Sequence, residues 1–193
     1  MPISTIGAGS AAAAGPVDLI YSVTAGSGGV ASFDTSTIDV TAYRSLELTV
    51  SLQTDDVNQT AVGVLMYFNG DETAANYYGI GTYQGLNTSN SYTHTAFNTS
   101  PTSNASIFAI NADDADDNIF SVGTAIISSP SGAYTTSASF NQNLRGVATN
   151  TDRILYRYGQ VWKNTDAITR IVLKSTSGGN FVEGSTVQIL GVK

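Results

Sequence analysis

Cysteine is absent from this 193-residue chain, which excludes disulfides, thiolate zinc sites and cysteine nucleophiles together. Charge is scarce: Asp, Glu, Lys and Arg make up 12% of the residues, about half the ordinary share. The eight Lys and Arg are outnumbered by fifteen Asp and Glu, for a net charge of −7. They form no cluster, and phosphate contacts need cations, so no nucleic-acid partner is expected. The lone histidine, His94, stands in Tyr92-Thr93-His94-Thr95 without a Gly-x-Ser-x-Gly elbow anywhere in the chain. A triad nucleophile is therefore not expected, and His94 reads as a strand-surface or interface residue. No apolar run approaches the roughly twenty residues of a membrane helix. The N-terminus lacks the positive and apolar regions of a secretory signal. The chain is expected to be made in a cytoplasm, to stay off membranes and to need no cofactor.

What remains is rich in strand and turn formers. Aliphatic and aromatic residues make up 41%, with ten Tyr, seven Phe and nineteen Gly. Good helix formers are scarce, and no apolar stripe repeats at helical spacing. The composition reads as all-β. A surface poor in charge and rich in hydroxyls and amides suits lateral packing against protein, or a sugar.

Periodicity places the strands. Leu46, Leu48, Val50 and Leu52 alternate with polar residues across Ser45–Gln53, one buried face and one wet. The run Ala61–Phe68 is apolar on both faces, which predicts a strand that is central or covered on both sides. It stops at Asn69-Gly70, two residues that tolerate positive φ. Further strands are predicted at Leu19–Val23, Val30–Phe33, Tyr77–Tyr83, Ser91–Phe97, Ala105–Ile110, Ile119–Ile127, Tyr134–Phe140, Arg153–Trp162, Ile168–Lys174 and Thr186–Val192. Short strands punctuated by turns point to an antiparallel sandwich or barrel. Residues 17–193 read as a single domain.

Residues 1–16 differ from the rest: small, uncharged and nearly free of core side chains. They read as an extended assembly arm docked on a partner through Met1, Pro2, Ile3, Ile6 and Pro16, the alternative being a disordered tail.

Candidate chemistry is thin. The acidic run 111–118 offers Asp114 and Asp116 at the alternate spacing of a calcium loop, but Ile119 stands where that loop requires glycine. No metal site is expected there, and the run reads as a solvated connection. Asp55, Asp56, Asp71 and Glu72 flank turns, where a carboxylate accepts backbone N–H groups. Tyr156, Tyr158 and Trp162 share one strand face, and Tyr77, Tyr78 and Tyr83 cluster in sequence. Such aromatics read as core or subunit interface, with a sugar-stacking platform as the alternative.

Two blocks carry a family resemblance. Phe68-Asn69-Gly70-Asp71 is followed by Asn76-Tyr77, and the chain closes on Asn180-Phe181-Val182-Glu183-Gly184-Ser185 and a strand. Ser32-Phe33-Asp34, Ile38 and Tyr43-Arg44-Ser45-Leu46 extend the pattern, which resembles structural proteins of tailed-bacteriophage virions. Tyr67 stands where that pattern has Arg, and the closing Ile189-Leu190-Gly191-Val192 replaces a Leu-Tyr-Gly-Ile/Val. The resemblance implies a jelly-roll-like β-sandwich and a non-enzymatic virion protein made in the host cytoplasm. It suggests a capsid decoration or cement protein that binds the major capsid protein and copies of itself as a homotrimer. A tail-tip or fibre module binding a host glycan is the first alternative, and a polysaccharide-degrading enzyme the second.

EDTA is expected to leave the melting temperature of the purified protein unchanged. A tightly held calcium at Asp114 and Asp116 would instead withdraw roughly 3–4 kcal/mol on chelation, visible as a clear drop in the melt.

Overall fold

The computed structural model describes residues 16–57, 61–86, 92–99, 106–112, 119–132, 135–143 and 153–193. Among them are twelve strands: β1 (Val17–Thr24), β2 (Ser32–Asp34), β3 (Ser45–Leu52), β4 (Ala61–Phe68), β5 (Tyr77–Leu86), β6 (Tyr92–Thr99), β7 (Ser106–Asn111), β8 (Ser121–Ser128), β9 (Thr135–Asn143), β10 (Arg153–Trp162), β11 (Ile171–Ser175) and β12 (Thr186–Val192). A single 3-10 turn, Ala74–Asn76, precedes β5.

The strands form two sheets. Eight run in the order β1-β12-β3-β8-β9-β10-β5-β6, and four in the order β2-β11-β4-β7. Every pair of neighbouring named strands is antiparallel. The fold is all-β, with antiparallel sheets packed together in a sandwich-like arrangement.

The core follows from the alternation. Leu46, Leu48, Val50 and Leu52 of β3 are buried, as are Val62, Val64, Met66 and Phe68 of β4. They join Ile107, Phe108 and Ile110 of β7, Ile171 and Leu173 of β11, and Val187 and Ile189 of β12 in one buried cluster. Each such side chain contributes about 1.5–3 kcal/mol by leaving water. The β4 strand lies inside its sheet, between β11 and β7. Its odd-numbered residues are half-buried, which is why the whole run is apolar.

Most strands shift by a few residues from their expected bounds, and two of the shifts have a visible physical cause. Strand β11 starts at Ile171, not Ile168, because the Asn69 side chain captures the N–H groups of Thr169 and Arg170 at 2.7 and 3.2 Å. In the predicted Val30–Phe33 strand, Val30 pairs singly with Phe181. Ala31 then bends the chain, and a separate three-residue strand follows on β11.

The Asn69-Gly70 turn has φ values of 54° and 73°, and Asp71 N–H donates to the Phe68 carbonyl at 2.9 Å. Both central residues at positive φ define a type I′ turn. It does not close a hairpin. The chain leaves β4 in the small sheet and enters β5 in the large one, so the turn is a crossing point between layers.

Gly70→Val places a β-branched residue at positive φ. The substitution is expected to cost about 1 kcal/mol or more, lowering the melting temperature by about 2–4 °C for a chain of this size. An unchanged melt would show that the turn tolerates a side chain.

Candidate functional site

The motif residues meet one another. Asn69 is the first junction. Its Oδ1 accepts from Thr169 N–H and Arg170 N–H, and its Nδ2 donates to the Ala167 carbonyl at 2.8 Å. Arg170, fixed in turn, reaches Asp34 with both arms of its guanidinium, the Nε at 2.9 Å. The pair is partly exposed, a setting in which ion pairs contribute about 0–1 kcal/mol. The Arg170 bond is the main cause holding the Asp34 carboxyl below its ordinary value.

Asp71 is the second junction. Its Oδ1 accepts from Thr73 N–H at 3.0 Å, and its Oδ2 accepts from Asn76 Nδ2 at 2.8 Å and Trp162 Nε1 at 2.9 Å. Burial pushes its carboxyl up, but the bonds from Trp162, Asn76 and Thr73 outweigh that and hold it below the usual range. The Asp71 carbonyl accepts from the Tyr77 hydroxyl at 2.8 Å, and that hydroxyl accepts from Phe68 N–H at 3.0 Å. Beneath these bonds lie the rings: Phe68 sits 5.5 Å from Trp162, and Tyr67 packs edge-on to Tyr77 at 5.8 Å. Turn chemistry and core aromatics are thus one unit, and desolvation raises the Tyr77 hydroxyl.

The C-terminal block closes the opposite part of the fold. Phe181 is fully buried, 5.0 Å from Phe33, and bridges both Val30 and Thr54. Ser185 Oγ donates to the Gln53 carbonyl at 3.2 Å. Asp56 is buried and accepts from Ser175 Oγ at 2.7 Å and Gly179 N–H at 2.9 Å. Burial raises its carboxyl, and these donors bring it below the ordinary value. Near the last residue, Tyr43 donates to Asp18 at 2.9 Å, and Lys193 pairs with the same carboxylate at 2.7 Å. The Tyr43 ring lies so close to Gly191 that a Cβ there would stand 2.5 Å from Tyr43 Cδ1. Only glycine fits.

The aromatic stripe divides. Trp162 and Tyr77 are core, and Tyr156 stacks on Tyr158 at 5.8 Å. Tyr78 is exposed, with Lys163 Nζ 4.2 Å above its ring. His94 lies on β6, the outer strand of the large sheet, opposite Gln84. Pro16 is exposed, and its carbonyl accepts from Lys193 N–H at 3.0 Å. Met1, Pro2, Ile3 and Ile6, with Asp114 and Asp116, lie outside the described residues. Among the described residues no group of three acidic or histidine side chains could hold a metal ion.

Sequence reasoning missed the outward face of the large sheet. Of the eight large apolar residues exposed among the described ones, seven lie there: Val17, Leu19, Tyr78, Ile80, Val122, Ile126 and Val161. The signal was present in β8, where Val122 and Ile126 are apolar on one parity while Ala125 and Ile127 are apolar on the other. That pattern marks a strand with two apolar faces.

No protein-family model matches the chain, and comparison with curated proteins and with solved structures returns no significant match.

The lowered Asp71 carboxyl sets a pH dependence. Above the ordinary value of 3.8 the carboxylate is ionised in both states and its stabilisation is complete. As the pH falls through 3.8 and then through the lower folded value, the unfolded chain takes up its proton first, and the stabilisation is lost. Asp71→Asn is expected to lower the melting temperature at pH 7 and to flatten its fall below pH 4. A parallel acid profile in the variant would assign that fall to the other lowered carboxyls, Asp18, Asp34, Asp39 and Asp56 among them.

Proposed function

We propose that this chain is a non-enzymatic structural protein of a tailed-bacteriophage virion, a capsid decoration or cement protein with jelly-roll-like character. One observation carries the reading. The segments that resemble the phage proteins are far apart in sequence, yet they are bonded to one another. Asn69 holds Thr169 and Arg170, Arg170 holds Asp34, Phe33 packs on Phe181, and Arg44 Nε donates to the Lys193 carbonyl at 2.7 Å. The resemblance therefore falls on residues that act together as scaffold. Their carboxylates accept bonds from donors of the same chain.

In this reading the mechanism is cohesion. The β-sandwich caps a junction between major capsid subunits, as a trimer at a local three-fold position. The segment 1–16 lies along the neighbouring subunits and adds backbone and apolar contacts. A lattice under internal pressure from packed DNA gains stability from every such bridge. Surfaces rich in Ser, Thr and Asn suit lateral packing, because their groups bond to a neighbour without the desolvation cost of full charges.

Densitometry of purified virions tests the location. Copies in the hundreds per particle are expected. A handful would move the protein to the tail and favour the glycan-binding alternative. Deletion of Met1–Gly15 is expected to leave a folded domain with weakened binding to particles; undiminished decoration by the truncated protein would refute the arm.

A further inference from the structure

Strand β3, inside the large sheet, alternates strictly. On β3 the even residues enter the core, and Ser45, Glu47, Thr49 and Ser51 face out. The ladders carry that parity from strand to strand. Glu47 stands opposite Ile126, Ile126 opposite Ala138, Ala138 opposite Gly159, and Gly159 opposite Ile80. On the other side Glu47 stands opposite Leu190, and Leu190 opposite Leu19. One cross-strand row therefore spans the sheet on its outward face. Three of its apolar members are open to solvent: Leu19 is 56% exposed, Ile126 47% and Ile80 63%.

We propose that this outward face is a docking surface for a second copy of the same chain. Its size is right. Eight strands spaced about 4.8 Å apart are about 34 Å across, and seven to ten residues at about 3.3 Å each reach about 25 Å or more. That is roughly 850 Å², close to the roughly 800 Å² that each partner contributes to a stable interface. Seven of the eight large apolar residues exposed among the described ones stand on this one face, more than scattered surface apolars require.

Its charge selects a second copy. The chain as a whole carries −7, so two copies repel through most of their surface. Among the described side chains at the outward register positions of the large sheet, the acid Glu47 on β3 is balanced by the base Arg157 on β10, so this face carries no acidic excess. The acid and the base lie three strands apart, so two copies of one face can set acid against base on both sides of the contact.

The positions between Ile126 and Ile80 in the row are Ala138 and Gly159, the smallest residues in it, and Ile80 Cγ2 lies 3.6 Å from where a Gly159 Cβ would stand. The self-contact rests on the assembly reading for its setting in a particle, not for its existence in solution.

Sedimentation velocity of the full-length protein, from low micromolar to submillimolar concentration, tests it. Self-association is expected in the wild type. Ile126→Lys and Ile80→Lys should each weaken it about tenfold or more, which is about 1.4 kcal/mol per tenfold, with unchanged melting temperatures. Val57→Lys, which alters the one large apolar residue exposed off this face among the described residues, should associate as the wild type does. A wild type that stays monomeric throughout overturns the inference, as does association that Val57→Lys weakens equally. A monomeric wild type whose Ile126→Lys variant fails to bind particles overturns it too, while leaving the virion reading in place. Association lost in Ile126→Lys, in a protein that purified virions do not contain, sustains the surface and removes the virion reading.

Discussion

Both sheets depend on strands supplied by the end of the chain. Strand β12 lies between β1 and β3, and strand β11 lies between β2 and β4. Without residues 171–192 the first two strands have no ladder partner in either sheet. Val17 opposes Val192, the longest separation among the described pairings, and Asp34 opposes Val172. Closing such loops costs chain entropy before any contact compensates it, and β proteins with non-local pairings fold slowly for that reason. The C-terminal block is dense in fixed contacts because it must hold what it joins. Phe181 bridges two segments, Ser185 ties to Gln53, and Gly191 leaves room for Tyr43.

The chain achieves this with few charges. Its described ion pairs lie at the partly exposed surface, where they contribute little. The more consequential polar groups are side chains that bond to backbone or to neutral donors. Asn69 uses its amide to replace a stretch of ladder, Asp71 gathers a backbone N–H, an amide and an indole, and Asp56 gathers a hydroxyl and a backbone N–H. A hydrogen bond to a charged group contributes about 1.5–3 kcal/mol. A buried carboxylate stripped of such donors would be strongly unfavourable. These acids act as joints in the fold.

Much of the local structure was legible. The strands at Ala61–Phe68, Arg153–Trp162 and Thr186–Val192 coincide with their expected bounds, because apolar periodicity and turn residues are local signals. The Asn69-Gly70 turn was legible for the same reason. The destination of the chain after it was not. A type I′ turn ordinarily returns a strand to its neighbour, and here the partners of β4 lie about forty and about a hundred residues downstream. Nor did the sequence show that Asn69 would remove three residues from the start of β11, since side-chain capture of backbone N–H groups depends on a contact one hundred residues away. The outward face of the large sheet escaped notice because exposed isoleucines resemble buried ones until register assigns them a side.

Asn-Gly is also the dipeptide most prone to spontaneous ageing. The glycine nitrogen attacks the asparagine side-chain carbon, ammonia departs, and the resulting succinimide opens to aspartate or isoaspartate. In this fold the Asn69 side-chain amide is pinned at both of its ends, so its carbon does not swing freely toward the glycine nitrogen. The Asn69 oxygen is held by the N–H groups of Thr169 and Arg170, and the departing nitrogen is bonded to the Ala167 carbonyl. An aspartate in that place would turn an acceptor toward a carbonyl that now receives a proton. Folding thus sets the chemical clock of this peptide: it runs in the unfolded chain and slows in the finished one. The junction most vulnerable to time is guarded by the assembly of the strands that it helps to position.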